Sequence, residues 1–555
     1  MVSVVTSLCL SLVGCGGLGD DDSSQGQDGS GIYFSVTGSA PVAVNVVSHS
    51  PVSNGTNVRT NAVIHVEVDA ALNGSAVTDM PIQLIHFDTL AVIPTAMGYD
   101  AGSNTVMLTP LTSLEPDSNY QVEISEAEFG EERFSMDSLS WTFSTEAQIV
   151  RVSSHNDGTE GNGNADKGFV NDDGSVIAFS SRAKNIVDGD SNKKEDAFIA
   201  LNLMTERVLT WDDKQANNHI DTPVVSGNGD HLAFYSGANN LVDGDNNGQM
   251  DVFHFDAQSK SITIVSKHSN GTLGNKVSQF PSISANGQYI VFTSAATNLV
   301  DGDTNGRKDI FRHNRITGET ERVSVASDGA QGNGHSNTNA GNHGLISADG
   351  RYVVFTSKAK NLVDNDLNKK RDVFLKDMVT GAVTLVSKHS NGTQANNHSN
   401  HPAISHDGRY VVYSSTATNL VDGDTNKKKD IFLFNTNDQS TVRVSVDTTN
   451  GNANGNSDRP SINVDGQFIV FESSASDLID DDFNGKRDVF VMNTATMTIA
   501  RASESALGFG GNQTSHLAQM SGDGRYVIFS STAGDLVLDD YNGKKDIFRV
   551  LNPFN

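Results

Sequence analysis

Apolar and polar residues alternate with a period of two through much of the chain. Ala62-Val63-Ile64-His65-Val66-Glu67-Val68 is one such run, and the pattern returns in Thr105-Val106-Met107-Leu108 and Tyr120-Gln121-Val122-Glu123-Ile124. Runs of this period, separated by Asn, Gly, Asp and Pro, predict half-buried strands packed as a sandwich over residues 42–146. Past residue 147 a longer unit takes over. A short strand, Pro281-Ser282-Ile283-Ser284, is followed by Asn286-Gly287 and the apolar run Tyr289-Ile290-Val291-Phe292-Thr293. Asp309-Ile310-Phe311 and Glu321-Arg322-Val323-Ser324-Val325 complete it, so each unit predicts four strands. Asn-Gly or Asp-Gly between the first two strands predicts a tight hairpin. It recurs at Asp173-Gly174, Asp349-Gly350, Asp407-Gly408, Asp465-Gly466 and Asp523-Gly524.

Between the second and third strands of every unit lies an acidic run. The best-formed copy is DGDTNGRKDIF, Asp301 to Phe311, and the others begin at Asp188, Asp243, Asp364, Asp422, Asp480 and Leu538. Successive starts are 55, 58, 63, 58, 58 and 58 residues apart. A fixed period of that size means a propeller or solenoid, and four strands are the content of a propeller blade. The last unit reaches Phe548-Arg549-Val550 without a fourth strand, while Ile149-Val150-Arg151-Val152-Ser153 ahead of the first unit has the fourth-strand pattern. The N-terminal strand therefore completes the last blade and leaves no open edge. The expected architecture is all-β: residues 42–146 as a small β-sandwich and 147–555 as a seven-bladed β-propeller closed by its N-terminal strand.

The acidic runs carry the chemistry. Oxygen-bearing residues recur at positions one, three, five and nine: Asp188, Asp190, Asn192 and Asp196; Asp243, Asp245, Asn247 and Asp251; Asp301, Asp303, Asn305 and Asp309. They continue as Asp364, Asp366, Asn368 and Asp372; Asp422, Asp424, Asn426 and Asp430; Asp480, Asp482, Asn484 and Asp488. The seventh run keeps only Asp540, Asn542 and Asp546. A hard cation such as calcium takes six to eight oxygen ligands, and alternate residues of a tight loop converge on one centre. Position twelve, where an EF-hand needs Glu, is Arg312. The one-three-five-nine spacing leading into a hydrophobic strand resembles the calcium loops of FG-GAP repeats in integrin propellers, which implies up to one ion per blade. The alternative is that Asp, Asn and Gly form plain turns, with residues such as Lys369, Lys370 and Arg371 neutralising the carboxylates.

Two further resemblances set the context. SPVSNGTNVRTNAVIHVEV, YDAGSNTVMLTP, LEPDSNYQVEIS and the closing WTFST resemble bacterial SbsA-type Ig-like domains, which implies a spacer or adhesion role. There His65 and His86 are expected on the strand surface and Trp141 in the core. SADGRYVVFTS, Ser347 to Ser357, resembles the WD-like repeats of TolB-type propellers. At the N-terminus, apolar Val2–Val13 and Leu12-Val13-Gly14-Cys15 resemble a lipoprotein lipobox. That implies a signal peptide over 1–15, a lipidated Cys15 as the only attachment to the membrane, and a flexible Asp/Ser/Gly tether over 16–41. No Lys or Arg precedes Cys15, which departs from the family's basic n-region. Gly16 after the cysteine implies the outer membrane, facing the periplasm or the cell surface.

Charge and cysteine content narrow the partners. The net charge of −28 argues against nucleic acid, whose phosphates need a basic face. Cys9 and Cys15 are the only cysteines, so the repeats hold no disulfide or thiolate site.

Polar residues just before each first strand predict a ring at the channel mouth. Those expected to bind a ligand are Asp221, His343, His401, Asp458, Arg459 and His516, with a solvated plug of the axis as the alternative. His268 and His389 lie in repeated SKHSNGT segments and are expected to be structural. The resulting expectation is a calcium-binding envelope lipoprotein that presents a non-enzymatic binding or scaffold face to a protein or glycan. The alternative is a propeller-type polysaccharide lyase or hydrolase using mouth histidines, among His335, His343, His398, His401 and His516 together with Arg459.

Overall fold

The computed structural model describes residues 41–554 apart from 132, 338–344 and 506–507. Cys15, most of the tether and His343 lie outside the described residues.

The first domain is two packed sheets with a small third one. Val46–Ser50, Ile64–Val68, Thr105–Pro110 and Thr95–Asp100 pair in that order in one sheet. Gly55–Val58, Leu139–Thr145, Asn119–Ile124, Ile82–His86 and Val92–Ile93 form the other. The period-two pattern has the expected outcome, since Ile64, Val66, Leu84, Val106, Leu108 and Val122 are fully buried between the sheets. Trp141 is buried and stacks on His49 with ring centroids 4.0 Å apart. His65 is exposed as expected. His86 is not: it is buried at the end of its strand, edge-on to Tyr120 and 3.5 Å from Glu115. The turn after it folds back, with Thr89 N–H donating to His86 Nδ1.

The second domain is seven four-stranded sheets. The third blade shows the plan: Ser278–Ile283, Tyr289–Ser294, Asp309–Asn314 and Thr320–Arg322, each antiparallel to the next. In every blade the second and third strands place an aromatic pair opposite each other. Phe292 and Phe311 are such a pair, stacked at 5.9 Å; Phe179–Phe198, Phe234–Phe253, Phe355–Phe374, Tyr413–Phe432, Phe471–Phe490 and Phe529–Phe548 are the others. These rings are fully buried and fill the blade interiors.

The last blade is completed from the other end of the domain. Ser515–Met520, Tyr526–Ser531 and Asp546–Leu551 take Ile149–Arg151 as their outer strand, with Ile149 opposite Val550 and Arg151 opposite Phe548. The first strand of the first blade, Ala165–Val170, packs on this last blade. The approach is close enough that a Cβ on Gly168 would meet Ile528 at 2.8 Å. On the hairpin side, Gly350 has φ +77° and lies under the Tyr289 ring of the preceding blade, where a Cβ would come within 2.1 Å. Glycine is needed there both for the backbone conformation and for room.

Candidate functional site

The acidic loops run from the end of each second strand to the start of each third. The connections from one blade to the next emerge at the same end of the propeller, and the two sets are stitched together. Asn305 Nδ2, for example, donates to the carbonyl of Gly332 at 3.2 Å. This is the elaborated face; the opposite end has short hairpins.

Within each loop, position nine is the anchor. Asp196, Asp251, Asp309, Asp372, Asp430, Asp488 and Asp546 are 0–1% exposed. Asp309 accepts from Ser324 Oγ at 2.6 Å and from Asn305 Nδ2 at 2.8 Å. The amide of position five reaches position nine in all seven loops, through Asn192, Asn247, Asn305, Asn368, Asn426, Asn484 and Asn542. Its own oxygen turns back to cap a backbone N–H two residues on, as Asn305 does for Arg307 at 2.7 Å. Position three is also drawn in: Asp366, Asp424, Asp482 and Asp540 are buried, as are the side chains of Asp190 and Asp303, while Asp245 is half-buried. Burial pushes all the position-nine carboxyls up, Asp372 to about 6, and likewise raises Asp245 and Asp540 to about 6.

Position one does not converge with the rest. Asp188, Asp243, Asp301, Asp364, Asp422 and Asp480 are exposed. Asp301 lies 3.6 Å from His268 Nε2, and Asp188 and Asp422 stand in the same relation to His155 and His389. Each loop thus brings two carboxylates together, at three and nine. Among the described residues no three His, Cys, Asp or Glu side chains group as a metal set. As donors to a hard cation the loops fit through these two carboxylates, not through the whole spacing.

Sequence reasoning missed the group that faces them. Arg322, on the fourth strand, stands 3.1 Å from Asp303 and 3.8 Å from Asp309. Arg207, Arg443 and Arg501 take the same place at 3.5 to 3.7 Å from Asp190, Asp424 and Asp482; in the last blade the equivalent Arg151 pairs instead with Glu160 at 3.4 Å and Asp539 at 3.3 Å, next to Asp540. The signal was present in four of the five: Arg two residues before Ser in VRVS, ERVS and ARAS, whereas Leu209 stands two residues after Arg207.

The channel mouth has its own repeated feature. In six blades the first strand is interrupted by a bulge two residues in, and the bulged residue has left-handed backbone: Lys167, Thr222, Phe280, His401, Arg459 and Leu517, with φ between 46° and 56°. Such backbone is costly for residues other than glycine and persists where the surroundings enforce it. Pro follows in four of these blades. The bulged position carries side chains of unlike chemistry from blade to blade.

These residues form a belt across blades. His401 Nδ1 lies 2.8 Å from Asp458, which also accepts from Lys429 Nζ at 2.6 Å. Burial works against the Asp458 carboxylate, but His401 and Lys429 outweigh it and hold its pKa far below the usual range. Glu472 faces Arg459 and Arg487 and accepts from the backbone N–H of Leu517 at 3.0 Å. His516 is next along; its Nδ1 is buried with no hydrogen-bond partner, and burial lowers its pKa. Lys545 joins Asp166 at 2.8 Å, and Lys167 pairs with Asp221, which accepts from Tyr235 OH at 2.8 Å. Below the rim the axis is lined by Val170, Ile283, Ile346, Ile404, Ile462 and Met520.

Other histidines have local duties. His335 and His398 Nδ1 accept from the backbone N–H of Lys308 and Arg371, both at 2.9 Å. His268 and His389 cap their own turns through Asn270 and Asn391 N–H.

Residues 40–145 match the family described as bacterial Ig-like domain. That match coincides with the two-sheet domain. No curated protein matches the chain. Among solved structures, one described as TolB from Agrobacterium tumefaciens is 15% identical, covers 63% of this chain and 94% of its own, and has a TM-score of 0.34. A puromycin-hydrolyzing peptidase of Mycobacterium tuberculosis is 11% identical over 73% of this chain and 53% of its own, with a TM-score of 0.42. The RRP9 WD40 repeats are 10% identical over 73% of this chain and 97% of theirs, with a TM-score of 0.35.

Proposed function

We propose that this protein is a non-enzymatic binding module of the bacterial cell envelope, with the channel mouth as its ligand face. The observation that carries this is the set of six bulged, left-handed residues at one position of the first strands, varied in chemistry from Lys167 and Arg459 to His401, Thr222, Phe280 and Leu517. A plug of the axis would need no such variety, whereas recognition of an asymmetric polar ligand does. The rim carries five cations, Lys167, Lys429, Arg459, Arg487 and Lys545, against the four carboxylates Asp166, Asp221, Asp458 and Glu472 that pair with them. An acidic glycan or an acidic protein segment suits it. The Ig-like domain serves as a spacer from the membrane, with the lipid on Cys15 as anchor. Calcium belongs to the same reading, held by the carboxylates at positions three and nine of the acidic loops and stiffening the rim by binding the native state.

A glycan array probed in calcium tests the mouth. Binding to uronate-bearing or otherwise acidic glycans should fall at least tenfold in Arg459→Ala and Lys429→Met. Binding unchanged in both variants would remove the mouth from the function, and release of unsaturated or reducing-end products would make the protein an enzyme.

A further inference from the structure

The seven acidic loops are not equivalent. In five blades a fourth-strand arginine faces the loop: Arg207, Arg322, Arg443 and Arg501 pair with the position-three carboxylate, and Arg151 pairs with Glu160 and Asp539 beside Asp540. In blades two and four the same position is Ile264 and Leu385, both buried. Ile264 lies opposite Phe253 and Leu385 opposite Phe374, the register in which Arg322 lies opposite Phe311. In blade two the change is double. Gln331, which accepts from Arg322 at 3.1 Å in blade three, is replaced by Leu273.

The carboxylates have not changed with their partner. Asp366 is 6% exposed and its Oδ1 has no hydrogen-bond partner. Asp372, 1% exposed, receives Ser387 Oγ and Asn368 Nδ2 just as Asp309 receives Ser324 and Asn305. The oxygen that Arg322 faces in blade three therefore faces no guanidinium in blade four. The cation that bears on Asp366 is the exposed ammonium of Lys360. In blade two, with Ile264 in the arginine position, Asp251 bears on Asp245, and among the described residues neither forms an ion pair with an arginine.

We infer that the loops fall into two classes: five carry their own guanidinium as counter-ion, and those of blades two and four take a divalent, oxygen-seeking cation such as calcium in its place. Two neighbouring carboxylates, both buried in blade four and one buried and one half-buried in blade two, need a cation or a shared proton, and a hard divalent ion supplies the charge with room for backbone and water oxygens. The inference rests on the calcium reading and narrows it from one ion per blade to two per chain, held by Asp245 with Asp251 and by Asp366 with Asp372.

Native mass spectrometry and calorimetric titration of the full chain with calcium test this. Two ions are expected. Asp366→Asn should leave one, as should Leu385→Arg, which installs the guanidinium; Arg322→Leu should add a third. If Leu385→Arg fails to fold, Asp366→Asn alone decides blade four. Six or seven ions, or two ions retained in Asp366→Asn, would overturn the two classes while leaving calcium binding intact. No ions at all would remove the calcium reading itself.

Discussion

Glu146 and Arg525 form a buried ion pair that joins the Ig-like domain to the last blade. Glu146 is 2% exposed and Arg525 5%. The carboxylate also accepts from the hydroxyl of Tyr526 and from the backbone N–H of Thr60. Arg525 in turn donates to Thr60 Oγ1. The two domains are therefore held at a set angle. Removing one partner of a buried pair strands the other charge, a loss of about 3–5 kcal/mol. Glu146→Ala should lower the melting temperature and broaden the small-angle scattering profile as the domains swing apart. An unchanged profile would show that the interface does not set the angle.

The aromatic pair at the centre of each blade makes a sharp stability test. Phe311→Ala removes a fully buried ring from the stack with Phe292. The expected loss is about 3–5 kcal/mol, read from denaturant midpoints. A loss near zero would mean that blade three contributes nothing to the cooperative unit.

Ring closure depends on Ile149–Arg151. A chain beginning at residue 154 lacks the outer strand of the last blade and exposes the third-strand edge, Asp546–Leu551. It should unfold at a lower temperature and aggregate, compared with a chain beginning at residue 147. Equal melting temperatures would assign closure to blade packing alone.

Two buried histidines set an acid limit on stability. Burial lowers His254 to about 3, with Arg315 and His231 adding to it, and burial lowers His313 to about 4 with Lys267 adding to it. Both stay neutral in the fold but take a proton when unfolded below about pH 6.5. Stability from them is complete above pH 6.5 and is lost as pH falls towards 4 for His313 and towards 3 for His254, at about 1.4 kcal/mol per unit and group. Urea midpoints should fall between pH 6.5 and 4, with a shallower slope in His313→Asn. An identical slope in that variant would contradict the assignment.

Much of the fold was legible because it is written in local periodicity. Alternation in Ile64–Val68 marked the sandwich, and the 58-residue spacing of most acidic loops marked the blades. The N-terminal strand pattern announced the closure seen in the pairing of Val150 with Arg549. The site was legible only in part. Positions three, five and nine come together, but which atom each offers is decided by its neighbours: Asn305 gives Asp309 its nitrogen, and Asp301 faces solvent. His86 looked like a surface residue from alternation, yet the turn at Thr89 folds back over it and buries it.

The sequence alone determined the strands, the count of blades and the residue types that line the loops, because each depends on contacts within one repeat. Only the tertiary structure decided what those residues meet. Arg322 reaches Asp303 across a blade, His401 reaches Asp458 in the next one, and Glu146 reaches Arg525 from another domain. Charges buried by distant packing find partners in space, and chain spacing carries no record of that.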